Sequence, residues 1–187
     1  MIKRLLLCFL LFSLHSMQIF ATDEVRRALK AERISQPPKI DGIINDDCWK
    51  SSCKVKGFTE TRPVAGRSER DDLCTEVYIS YDDMAVYVAA CMHDVSPDSI
   101  HHELSTRDNI GSADMFSVFF DPYNEHQCAF GFFVTPSGVQ FDARYSSENN
   151  AEDPSWNAVW ESATRIEGNN WYAELRIPYS ALRFPKK

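Results

Sequence analysis

Residues 75–80, Thr75-Glu76-Val77-Tyr78-Ile79-Ser80, and residues 85–90, Ala85-Val86-Tyr87-Val88-Ala89-Ala90, flank the tetrapeptide Tyr81-Asp82-Asp83-Met84. Two runs rich in β-branched and aromatic residues on either side of an acidic turn read as a β-hairpin. Centring the turn on Asp82-Asp83 sets Val77 opposite Val88 and Ile79 opposite Val86 on one face, and Tyr78 opposite Tyr87 on the other. Both faces then carry matched cross-strand pairs. The same register sets Cys74 opposite Cys91. Directly opposed residues have Cβ atoms about 4.5–5.5 Å apart, close to disulfide reach, so a Cys74–Cys91 disulfide is expected.

Outward from the hairpin, further strand-like runs are Met115–Phe120, Ala129–Thr135, Val139–Tyr145, Ala158–Ile166 and Trp171–Ile177. Turn residues separate them: Asp121-Pro122-Tyr123-Asn124, Pro136-Ser137-Gly138 and Gly168-Asn169-Asn170. Short helical pieces are expected around Asn45–Ser51 and Tyr179–Leu182. Many short strands with regular turns and no long amphipathic period predict an all-β fold, a β-sandwich or barrel. Residues 96–113 and 146–156 are polar and strand-poor, and loops of that length are where a binding site is sought.

The 187 residues suffice for one domain after a leader. Lys3 and Arg4 precede the apolar run Leu5–Leu14, and Ala21 is a small residue at a cleavage position. Residues 1–21 therefore read as a signal peptide and 22–187 as an exported domain, placed in the periplasm, at the outer membrane or outside the cell. The apolar run is too short to span a bilayer, which takes roughly 20 residues. Loss of the leader leaves 18 basic against 27 acidic side chains, a charge of −9. Such a domain suits neutral ligands or cations and excludes nucleic acid as a partner. An oxidising compartment permits disulfides among Cys48, Cys53, Cys74, Cys91 and Cys128, with at least one left unpaired.

Motifs of chemistry are sparse. No GxSxG, HExxH or P-loop pattern occurs, so those enzyme classes lose support. His101-His102 are adjacent and would point to opposite faces of a strand. Acidic residues are abundant, among them Asp41, Asp46, Asp47, Asp114, Asp121, Asp142 and Asp153, and carboxylates at strand ends and turns cap backbone groups or bind calcium. Trp156 and Trp160 lie in Pro154-Ser155-Trp156-Asn157-Ala158-Val159-Trp160, at a loop-to-strand transition. An indole face stacks on the C–H face of a sugar, while Asn, Arg and Asp satisfy its hydroxyls. Asn157 adjoins Trp156, and Arg107-Asp108-Asn109 lies in the long polar loop. A core role fits both tryptophans equally well.

Ile40-Asp41-Gly42-Ile43-Ile44-Asn45-Asp46-Asp47-Cys48-Trp49 resembles the I-D-G-x-x-D-E-x-W opening of family 9 carbohydrate-binding modules. In order follow Thr75-Glu76-Val77, Tyr81-Asp82, Val86-Tyr87-Val88, Arg107-Asp108, Asp114–Asp121, Ser155-Trp156-Asn157, Trp160 and Trp171-Tyr172-Ala173-Glu174-Leu175-Arg176-Ile177-Pro178, so that residues 32–187 are covered. The resemblance implies a jelly-roll-like sandwich of two antiparallel sheets. It also implies binding of an oligo- or polysaccharide in the service of polysaccharide breakdown, through Trp156, Asn157, Trp160, Arg107 and Asp108. In the subgroup it most resembles, the module opens exported proteins that continue into a region like an outer-membrane β-barrel. The expected partner is that barrel or a glycoside hydrolase, and the chain is expected to be truncated after Lys187. Two other classes stay open. One is a periplasmic plug or interaction module; the other is a b-type haem domain drawing ligands from Met92, His93 and Met115, although Met115 reads more simply as core.

Overall fold

A computed structural model describes residues 28–149, 151–182 and 184; the proposed leader and cleavage point lie outside them. The hairpin forms as β3 (Thr75–Tyr81) and β4 (Ala85–His93), but its register differs from the sequence reading by two residues. Val77 faces Ala90, Ile79 faces Val88 and Tyr81 faces Val86. The cause lies in the turn. Asp82 closes it rather than sitting at its tip: its Oδ1 accepts from the N–H of Met84 at 2.7 Å and of Ala85 at 2.9 Å, and its Oδ2 from the Tyr87 hydroxyl at 2.8 Å. Asp83-Met84 thus become the tip. A slip of two preserves which side chains share a face, so the valine and tyrosine faces survive. The cysteine pairing does not survive. Cys91 faces Glu76, and Cys74 lies beside His93. The two cysteines are diagonal neighbours, a separation of about 7–8 Å, and all five described cysteines are unbonded thiols.

Two antiparallel-dominated sheets build the sandwich. The first continues from β3 and β4 into β10 (Asn170–Pro178) and β9 (Glu161–Glu167), with β1 (Glu32–Arg33) and β2 (Cys53–Val55) both against β3, β1 in parallel. The second runs β5 (Phe116–Phe120), β6 (Cys128–Val134), β7 (Gln140–Ser146), β8 (Ala151–Asp153). Strand β8 lies in a stretch whose polar sequence predicts loop, because its three residues are too few to show a period. Between the sheets lies the core, from Val77, Val88, Leu175, Ile177 and Trp171 on one side to Phe130, Phe132 and Val134 on the other.

The outer face of the first sheet is covered by residues 34–52, which end in the one-turn helix α1 (Asp47–Ser51). Trp49 packs there with Ile34, Ala85, Tyr87 and Ala89. One fully buried carboxylate, Glu174 on β10, fastens this cover. Its Oε2 accepts from the N–H of Asp41 at 3.0 Å and of Gly42 at 2.8 Å, and its Oε1 from the Trp49 indole at 2.9 Å. Burial pushes the Glu174 pKa up, and these three donors act against that rise. Gly42 has φ +82°, and a Cβ there would stand 3.0 Å from the Thr164 carbonyl carbon. Only glycine therefore lets the chain lie this close to the sheet.

Strand β7 carries its polar residues inward. Its polar residues Gln140 and Asp142 face the core side, opposite Val134 and Phe132, while Phe141, Ala143 and Tyr145 face outward. The outer face of the second sheet is accordingly aromatic. Phe133 and Phe141 are buried there, with Ile110 of the long loop packed on them.

Candidate functional site

After β8 the chain runs along the edge of the second sheet, and its side chains alternate. Trp156, Ala158 and Trp160 pack toward the core, whereas Asn157 and Val159 are exposed, Val159 at 88%. Fully buried Asp142 holds this segment in place. Its Oδ1 accepts from the Ala158 N–H at 2.8 Å, and its Oδ2 from the Trp160 indole at 3.0 Å and from the Arg107 guanidinium. Arg107 also donates to Gln140 Oε1 and to the Ala158 carbonyl, the latter at 3.2 Å. A buried carboxylate needs such compensation, and a planar guanidinium with several donors supplies it from the rim.

Arg107 and Asp108 are held in the long loop by a second set of bonds. The Asp108 N–H donates to the Gln140 carbonyl at 2.9 Å, and Asp108 takes a left-handed backbone with φ 67° that aspartate tolerates. Its carboxylate stands 3.8 Å from Arg107 Nε. Gln140 passes the chain of contacts to Ser162 at 2.9 Å, which ties β7 to β9 across the sandwich edge. A cleft of about 360 Å³ opens beside this cluster, lined by Leu104, Ser105, Arg107, Ser137, Gly138 and Gln140.

The structure therefore brings Arg107 against the segment that carries Trp156, Asn157 and Trp160, through the Ala158 carbonyl, and holds Asp108 beside Arg107 in the long loop. It separates the two tryptophans by role. Trp160 is 6% exposed, stands edge-on to Phe132 at 5.4 Å and spends its N–H on Asp142, so it offers no open face for stacking. Of the two roles that fitted its sequence, the core one is the one it fills. Trp156 is half-buried, tilted over Phe130 at 4.8 Å, and is the more open of the pair. Asn157 is exposed, and its amide donates locally, to the Ser155 carbonyl at 3.3 Å. In the sequence Asp142 stands out only as one of several acidic residues and Gln140 not at all, because the Arg107 that both of them bind lies more than thirty positions away.

The other candidates resolve differently. Among the described residues no three His, Cys, Asp or Glu side chains converge as a metal site. The acidic turn residues cap backbone instead: Asp41 accepts from Ile43, Asp46 from Lys39, Asp114 from His101, Asp121 from Tyr123 and His126, and Asp153 from Ser155. Met92 packs on the core while neighbouring His93 points to the opposite face of β4, so the two cannot address one iron. Met115, read as core in the sequence, is 44% exposed at the entry to β5.

Comparison with known proteins agrees with this architecture. A carbohydrate-binding module of family 9 from Caldicellulosiruptor kristjanssonii, in complex with cellotriose, matches with a TM-score of 0.56 at 17% identity, over 84% of this chain and 70% of that one. The same kind of module in complex with glucose matches with a TM-score of 0.54 at 17% identity, over 83% and 72%. A candidate carbohydrate-binding protein from Bacteroides uniformis matches with a TM-score of 0.61 at 10% identity, over 82% and 73%. These likenesses are of fold. A search of curated proteins finds no match. The sequence profile described as carbohydrate family 9 binding domain-like matches residues 40–187, and the chain belongs to that family.

Proposed function

We propose that this domain is a non-catalytic carbohydrate-binding module that takes a neutral oligo- or polysaccharide at the sandwich edge. The observation that carries the reading is the Asp142–Arg107 network. It ties Arg107, next to Asp108 in the long loop, to Ala158 in the segment that carries half-buried Trp156 and exposed Asn157, and an apolar ring with hydroxyl-binding groups nearby suits a sugar. Arg107 acts mainly as the positioning residue, since its guanidinium is already bonded to Asp142, Gln140 and Ala158. In this reading the domain is exported and serves polysaccharide breakdown as the accessory module of a glycoside hydrolase or an outer-membrane protein.

Affinity electrophoresis in gels cast with a panel of neutral plant and microbial polysaccharides tests it. The wild-type chain should be retarded by at least one glycan. Asn157→Ala and Asp108→Ala should weaken that retardation about tenfold with little change in melting temperature. No retardation by any glycan would overturn the reading in favour of an interaction module.

A further inference from the structure

The outer face of the second sheet holds an aromatic platform away from the Arg107 edge. Phe119 on β5, Phe133 on β6 and Tyr145 on β7 converge over Gly131, where a Cβ would meet all three rings at 2.8–2.9 Å. Phe119 stands edge-on to Phe133 at 5.4 Å and to Tyr145 at 5.1 Å, yet remains 52% exposed. Phe119 is thus an aromatic ring held in place by two others with half of its surface open to solvent. Tyr145 also lines a cleft of about 480 Å³ with Asp121, Gln127, Ser146 and Ser147 at the same end of the sheet. Its hydroxyl donates to Glu152 Oε2 at 2.8 Å, which fixes the ring.

We infer that Phe119 and Tyr145, with this cleft, form a second binding site for a neutral oligosaccharide. The occupant follows from the lining. Ring faces suit the C–H face of a sugar, and the carboxylate, amide and hydroxyls beside them suit its hydroxyls. A purely apolar partner would strand those polar groups, and an anionic glycan would meet Asp121 and Glu152 on a chain of net charge −7. The inference rests on the carbohydrate-binding reading above but uses none of the edge residues.

The same polysaccharide panel, run with Phe119→Ala, Phe119→Leu and Asn157→Ala, tests it. Phe119→Leu keeps apolar bulk and removes only the ring face, so it guards against a folding defect. Loss of one stacking platform is worth about tenfold or more in affinity. Both Phe119 variants should lose about that factor for at least one glycan that Asn157→Ala still binds, at an unchanged melting temperature. If both Phe119 variants bind every glycan as wild type does, the second site is overturned while the edge reading stands. If wild type binds none, both fall. Self-association of wild type that disappears in Phe119→Ala, with glycan binding unaltered, would make the platform an interface between copies and also overturn the inference.

Discussion

Removing the Glu174 carboxylate should release the N-terminal cover from the first sheet. Glu174→Ala leaves three donors without their acceptor, the Asp41 and Gly42 amides and the Trp49 indole. Hydrogen bonds to a charged group contribute about 1.5–3 kcal/mol each, but three that share one side chain do not add. The ceiling is set by detachment of the cover, after which the lost bonds return to water and the burial of Trp49 is forfeited. Loss of a buried tryptophan contact is worth about 3–5 kcal/mol, which brackets the expected cost. Glu174→Gln keeps one carbonyl oxygen for either the two amides or the indole and turns an NH2 group on the other, so about 1–3 kcal/mol is expected. Urea unfolding followed by tryptophan fluorescence measures the loss. Limited trypsin digestion at Lys39 and Lys50 reports whether the cover has opened. A Glu174→Ala variant within about 1 kcal/mol of wild type, cleaved at either lysine no faster than wild type, would refute the anchoring argument.

Other outcomes follow from the same contacts. Trp160→Ala should cost about 3–5 kcal/mol in chemical denaturation, as a core aromatic does, whereas half-buried Trp156→Ala should cost clearly less. Asp142→Asn puts an amide donor either against the Ala158 N–H or against both the Arg107 guanidinium and the Trp160 indole; a loss of about 2–4 kcal/mol is expected, with glycan binding weakened because Arg107 and the 156–160 segment lose their common anchor. Burial of the Glu76 carboxyl opposes its charge, but Lys54, Lys56 and the Tyr78 hydroxyl outweigh this and hold its pKa at about 2, below the ordinary 4.5. Its contribution is thus present above the ordinary value and is lost as pH falls toward 2. Because the lysines are about half exposed, Glu76→Gln should flatten the acid limb of the stability–pH curve by only about 1 kcal/mol.

The hairpin residues show how far a sequence carries. Alternation in 75–80 and 85–90 assigned the faces correctly, since a slip of two leaves them unchanged. The register itself depended on whether Asp82 would cap the turn or form its tip, a choice made by hydrogen bonds to Met84, Ala85 and Tyr87. In β7 the periodicity was legible but its direction was not. Asp142 turns inward because Arg107, distant in sequence, compensates it, and no local pattern announces that partner. For the same reason Trp160 could not be separated from Trp156 until the acceptor of its indole was known. The I-D-G…W motif was visible as a resemblance, whereas its physical cause, Glu174 in the last strand, became evident only in three dimensions.

The central claim is that the edge held by Asp142 and Arg107 receives a sugar. Titrating the isotope-labelled chain with the best-retained glycan of the panel, and following amide and side-chain N–H resonances, tests this most directly. The account predicts saturable shifts at Asp108, the Asn157 side-chain amide and the Trp156 indole, with the Trp160 indole moving least because Asp142 holds it in the core. Shifts that leave Asp108, Trp156 and Asn157 unmoved while the glycan binds would contradict it.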